Sequence, residues 1–221
     1  MRVAKGLEML SLDWADTTIH PTLVWDDTSA FLIDTGFPGQ FEELRAALDR
    51  TGMSIDRLNA VILTHQDIDH AGGLAELAKA SGHRIEVFAH ELEKPYIEGD
   101  LPLIKENGLV LPRTVKVGRT LADGERLPVC GGIEVIFTPG HSPGHIGLYL
   151  EQSRTLVAGD SMFGHNGILH GVHSPTALDP GAAKRSLGKY LDYSIDSVVC
   201  YHGGLCRENV SLRLKELVHG T

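Results

Sequence analysis

Apolar runs of strand length recur along the chain, separated by Gly, Pro and Asp turn signals. They fall at Thr22–Trp25, Ala30–Ile33, 60–63, 85–89, Ile133–Phe137, Ile146–Leu150, Thr155–Val157 and 197–201. Short continuous apolar runs bounded by turn residues are the pattern of buried strands. Between some of them the period lengthens to that of a helix. Phe41, Leu44, Ala47 and Leu48 share one face, as do Leu74, Leu77 and Ala78, and Leu212, Leu214, Leu217 and Val218 near the end. Pro180 suits the first turn of a further helix, with Asp179 before it as N-cap. Strands mixed with helices, without strict alternation, predict an α/β or α+β layered fold. No repeat, low-complexity segment or linker interrupts the pattern, so residues 1–221 are expected to form a single domain. The least regular stretch, 95–112, carries Pro95, Gly99, Pro102, Gly108 and Pro112 among Leu101, Leu103, Ile104, Leu109 and Val110. An apolar loop of that length predicts either a cover over a site or a homodimer contact.

Composition narrows the function classes. The chain has 221 residues and a formal net charge of −9, which argues against nucleic acid or an anionic membrane as partner. No stretch reaches the roughly 20 apolar residues that span a bilayer. The N-terminus has no apolar leader followed by a small-residue cleavage site, so the cytoplasm is the expected location. Cys130, Cys200 and Cys206 form no CxxC pair, and a small buried strand residue is the expected role for Cys200.

The chemistry-bearing residues stand at the ends of predicted strands. After 60–63 comes Thr64-His65-Gln66-Asp67-Ile68-Asp69-His70, then Ala71-Gly72-Gly73 at the start of a helix. Ile133–Phe137 runs into Thr138-Pro139-Gly140-His141-Ser142-Pro143-Gly144-His145, Leu156-Val157-Ala158-Gly159 into Asp160, and Val198-Val199-Cys200-Tyr201 into His202. Four strand ends thus supply at least four imidazoles and three carboxylates, enough for two adjacent metal ions. Clustered carboxylates without a cation would raise one another's pKa.

As a set, the THxxDxDHxGG run, the TPGHSPGH turn, the AGD strand end and the late HGG resemble the metallo-β-lactamase superfamily in order and spacing. The resemblance extends from Leu32-Ile33-Asp34-Thr35-Gly36 to Gly204. It implies a four-layer αββα sandwich with the site at one edge between two sheets. It also implies one metal on His65, Asp67 and His141, another on Asp69, His70 and His202, and Asp160 bridging them. His145 matches a position that supports the turn or hydrogen-bonds a ligand rather than one that binds metal. Asp34 is expected to hold a turn near the site.

Two departures shape the expectation. The usual signature is HxHxDH, and here Asp67 stands where the second histidine is expected. Zinc is expected first, and because a carboxylate is a harder donor than imidazole, iron or manganese stays open. Lactonases of the superfamily place a tyrosine three residues after the bridging aspartate, whereas this chain has Phe163. The resemblance implies a dinuclear metallo-hydrolase that uses a metal-bridging hydroxide on a small-molecule ester, lactone or thioester. Asp69 is expected to orient the nucleophile and move its proton. The alternatives are an iron-dependent oxidoreductase of the same fold and a non-catalytic metal-loaded binding module. His165, His170 and His173 are expected to be polar loop residues, and Trp14, Trp25 and Phe37 to belong to the core.

Overall fold

The apolar run at 60–63 becomes the strand Ala60–Ile62, every residue of which is buried. In the computed structural model, which describes residues 1–220, this strand lies parallel to Ala30–Ile33 on one side and Glu86–His90 on the other. Parallel strands buried on both faces carry continuous apolar runs rather than alternation. The chain divides into two compact units, Met1–Leu121 and Ala122–Thr221.

In the first unit a seven-stranded sheet has the order Arg2–Ala4, Leu7–Met9, Thr22–Trp25, Ala30–Ile33, Ala60–Ile62, Glu86–His90, Arg119–Leu121. Its first four strands pair antiparallel and the rest parallel. The crossovers between parallel strands carry the helices Phe41–Arg50, Ile68–Ala71 and Leu74–Ala80. The expected apolar faces are the buried ones: Leu44, Ala47 and Leu48 on the first, Leu74, Leu77 and Ala78 on the last. Each leucine so buried contributes roughly 1.5–3 kcal/mol. The consequence for function is positional. Asp34, the Thr64 to His70 run and Glu93 all follow the carboxyl ends of adjacent parallel strands, where open α/β sheets gather ligand-binding groups.

The second unit holds a six-stranded sheet in the order Arg126–Leu127, Ile133–Phe137, Ile146–Leu150, Thr155–Val157, Ser197–Cys200, Gly204–Cys206. Its one parallel pair is Thr155–Val157 with Ser197–Cys200. Asp160 and His202 follow the carboxyl ends of those two neighbours. Ile136, Leu156, Leu187, Tyr190, Val198 and Leu214 belong to this unit's core. The Asp179 carboxylate accepts from the Ala182 N–H at 2.8 Å and caps the helix Pro180–Ser186, as its sequence predicts. The mixed sheets and helices make the fold class α/β, and among the described residues no helix is long and apolar enough to cross a membrane.

Several strands are absent from the hydrophobic pattern. Arg2–Ala4, Arg119–Leu121 and Gly204–Cys206 have three residues each, too few to display a period. The segment after Asp160 corrects the expectation of a plain loop. Phe163–His165 and Ile168–His170 form a hairpin around Asn166-Gly167, both at positive φ (52° and 76°). Asn-Gly between strands is the strongest short hairpin signal, because both residues tolerate the turn's left-handed geometry. Trp14 also departs from expectation: it is 43% exposed and stacks on Phe37 at 4.7 Å instead of entering the core.

The glycine pair after His70 has a packing reason. A Cβ on Gly73 would stand 2.4 Å from the Thr35 carbonyl oxygen, while the Gly73 N–H donates to the Gly36 carbonyl at 2.9 Å. Gly73→Ala is expected to cost about 2–4 kcal/mol by forcing these two segments apart. Thermal unfolding checks this; an unchanged Tm would contradict it.

Candidate metal centre

In the first unit the site is built on Asp34. Its carboxylate is buried and accepts three hydrogen bonds: from the Thr64 N–H at 2.8 Å, from the Thr64 hydroxyl at 2.8 Å and from His70 Nδ1 at 2.9 Å. The Thr64 hydroxyl spends its proton on Asp34, so its oxygen accepts from His65 Nδ1 at 3.0 Å. Both imidazoles are thereby fixed with the proton on Nδ1 and a lone pair on Nε2, the arrangement of metal-binding histidines. Asp34 itself takes φ 62°, a conformation that Asp tolerates better than most residues. The same strap is held from its other side, since the Thr35 N–H and hydroxyl both donate to the His70 carbonyl at 2.8 Å.

Each Nε2 faces a carboxylate of the same run. His65 Nε2 lies 3.3 Å from Asp67 Oδ2, and His70 Nε2 lies 3.6 Å from Asp69 Oδ2. The second unit repeats the arrangement around one oxygen. Asp160 Oδ2 lies 3.3 Å from His141 Nε2 and 3.4 Å from His202 Nε2. Charge-assisted N–H···O bonds close to about 2.7–2.9 Å, so these contacts are too long for strong hydrogen bonds. Three of them, at 3.3–3.4 Å, match the edge of a coordination tetrahedron, which is about 3.3–3.4 Å for ligand distances of 2.0–2.1 Å; the His70–Asp69 contact, at 3.6 Å, is slightly longer. The donor set thus fits divalent metal ions, and a single Asp160 oxygen shared by two histidines fits a bridging position.

His145 has a different task. Its Nε2 accepts from the Asp160 N–H at 3.0 Å, and its Nδ1 is 2.8 Å from the Thr138 hydroxyl. The ring therefore carries its proton on Nδ1 and donates it to Thr138. Thr138 hydrogen-bonds Tyr190, Tyr190 lies 2.8 Å from the Ser161 hydroxyl, and Ser161 donates to the Ala158 carbonyl at 2.7 Å. Burial pushes the Tyr190 hydroxyl up to about 12, so it keeps its proton at ordinary pH. Both ring nitrogens being engaged, His145 orients the Asp160 loop.

Asp160 and His202 open onto a cavity of about 370 Å³ whose wall includes Met162, Phe163, His173 and Thr176. His170 stacks on Phe163 at 5.0 Å with 14° between the rings, which stiffens the wall. Cys200 stays out of the chemistry: its buried thiol is pushed up by its hydrogen bond with Cys206 and by desolvation. Sequence reasoning placed seven ligand candidates, four in the first unit and three in the second. It gave no role to Thr64, whose signal was its place between the Ala60–Ile62 strand and His65. It also gave no role to Thr138, although that residue opens the TPGHSPGH turn, and it missed Tyr190, which belongs to no motif.

The metallo-beta-lactamase superfamily model matches residues 16–202. The probable metallo-hydrolase YybB of Bacillus subtilis is 31% identical over 144 residues, covering 64% of this chain and 61% of its own length. The hydroxyacylglutathione hydrolase GloC of Haemophilus influenzae is 29% identical over 146 residues, 64% of this chain and 66% of its own. The chain therefore spans under two thirds of the length of either relative. Among solved structures, the metallo-beta-lactamase family protein TTHA1429 of Thermus thermophilus superposes with a TM-score of 0.77 at 23% identity. That match covers 99% of this chain and 80% of the other, and shows the shared fold. TTHA1623, solved in a di-iron-bound form, gives a TM-score of 0.70 at 29% identity over 92% of this chain and 97% of its own.

Proposed function

The chain belongs to the metallo-β-lactamase superfamily, and from that premise we propose a metal-dependent hydrolase of a small ester, lactone or thioester, with thioesters the favoured class. The observation that carries the reading is Asp160 Oδ2, set 3.3 and 3.4 Å from the Nε2 atoms of two histidines. Residues 1–221 act as one hydrolase domain in this reading. His65, Asp67 and His141 hold one divalent ion, Asp69, His70 and His202 hold the other, and Asp160 is shared. Zinc is the first choice. Iron is supported by the di-iron form of TTHA1623 and by the harder donor at Asp67. When bound, such ions polarise a carbonyl and bring the pKa of a shared water toward about 7.

The chain's own groups do the rest. Asp69 orients the attacking water and takes its proton. The Asp34–Thr64 pair keeps His65 and His70 in their ligand tautomer, and His145 holds Asp160 in place through its backbone N–H. Met162 and Phe163 receive the acyl part of the substrate in the cavity beside Asp160, where apolar walls exclude bulk water. Phe163 offers no hydroxyl to polarise a ring ester. The thioester preference draws on this and on the likeness to hydroxyacylglutathione hydrolases.

A panel of thioesters, lactones, esters, β-lactams and phosphodiesters, assayed with zinc-, iron- and manganese-loaded protein, tests the assignment. Thioester turnover with kcat/KM above the other classes is expected. A preference for phosphodiesters or β-lactams would overturn it.

A further inference from the structure

Asp67 differs from the family signature, and the structure supplies a cation to match it. Lys105 Nζ lies 2.6 Å from Asp67 Oδ2, the same oxygen that stands 3.3 Å from His65 Nε2. The two side chains are only 18% and 12% exposed. An ion pair in open solvent is worth little, but this one is short and mostly shielded from water.

The lysine is also delivered by a built connection. The Ile104 N–H donates to Gln66 Oε1 at 3.0 Å, so consecutive residues of the 95–112 segment bond consecutive residues of the metal-binding run. Leu103, next in line, is buried and its N–H donates to the Leu109 carbonyl at 2.7 Å, which closes the loop behind Lys105. Gln66 is fixed in turn, its N–H donating to Glu93 Oε2 at 3.0 Å.

The geometry points to Lys105 as a charge-compensating residue that sets the metal affinity of the Asp67 position. This inference depends on the metal-binding reading above. Asp67 with Lys105 presents an oxygen donor with no net charge, where the family histidine presents a nitrogen donor with no net charge. The ammonium competes with a divalent ion for Oδ2 and repels it at close range, so the position binds its ion less tightly than a lone carboxylate would. The pair keeps the hard oxygen donor without adding the full negative charge. It also links the 95–112 segment to the state of the site: a cation arriving at Asp67 weakens the bond that holds the segment there.

The test is a competition titration of metal-free protein with zinc and with manganese against a chromophoric chelator. It compares wild type, Lys105→Met, Lys105→Gln, Lys105→Arg, Asp67→His and the double variant Asp67→His/Lys105→Met. The weaker of the two binding steps is expected to tighten about tenfold or more in Lys105→Met and Lys105→Gln, and to stay near wild type in Lys105→Arg. Asp67→His alone is expected to bind more weakly than wild type, because Lys105 then faces the ion without its carboxylate, and Lys105→Met is expected to restore it. Thermal unfolding of the metal-free proteins confirms that the variants fold. Affinities unchanged by Lys105→Met and Lys105→Gln would overturn the role of Lys105 while leaving the metal centre standing. Failure of the wild type to bind any ion would overturn the metal-binding reading itself.

Discussion

Asp160→Asn is expected to lower kcat/KM for the proposed thioester substrate by about a thousandfold or more, near 4 kcal/mol of transition-state stabilisation. One oxygen of this side chain stands within 3.4 Å of both His141 and His202, so the substitution weakens two coordination positions together. The amide keeps the size of the carboxylate and removes its charge. It also leaves untouched the backbone N–H that Asp160 donates to His145, so the loop keeps its anchor. The loss is therefore expected in metal content and rate, while the Tm of the metal-free protein stays within a degree or two of wild type. Elemental analysis, steady-state kinetics and thermal unfolding of the metal-free variant together check this. Full activity with a normal metal content would remove Asp160 from the centre.

The second large effect is on stability. Asp34→Ala strips the acceptor from three buried donors at once: the Thr64 N–H, the Thr64 hydroxyl and His70 Nδ1. Each donor left without a partner costs about 1–3 kcal/mol, and the three share one environment, so a total of roughly 3–5 kcal/mol is expected. Alanine at φ 62° adds backbone strain that aspartate tolerates better. For a chain of this size that corresponds to a fall in Tm of roughly 8–15 °C. Metal affinity is expected to fall about 10–100-fold as well, because the tautomers of His65 and His70 are no longer fixed. Denaturant unfolding and a chelator titration measure the two effects separately. A Tm within two degrees of wild type would show that Asp34 does not organise the run.

The contrast between the two residues shows how function was legible in this sequence. The ligand candidates could be found because they lie in the segments that follow apolar strand runs, positions the hydrophobic pattern marks, and because their motifs resemble those of a known family. The strands Ala30–Ile33, Ile133–Phe137, Ile146–Leu150 and Thr155–Val157 have the predicted bounds. Asp34 was legible as a turn-holding residue, but its grip on Thr64 and His70 was not, because that depends on which strands lie side by side. Lys105 was wholly silent. It sits 38 positions from Asp67, in a stretch whose pattern suggested only a cover or a contact, and no local rule connects the two. The hairpin at 163–170 is different again, since its Asn166-Gly167 turn was visible and the three-residue strands around it were too short to show a period.

Phe163 and Asp67 are the two positions at which this chain departs from the pattern that its motifs resemble. Phe163 lines the cavity without a hydroxyl, and Asp67 pairs with Lys105 at 2.6 Å.

The most direct test of the account is to strip the purified protein with a chelator, remove the chelator, and add back zinc, iron or manganese while following thioester hydrolysis. The account predicts no turnover in the metal-free protein and recovery that saturates at about two equivalents of ion per chain. Hydrolysis that continues at the original rate with no metal bound would contradict it.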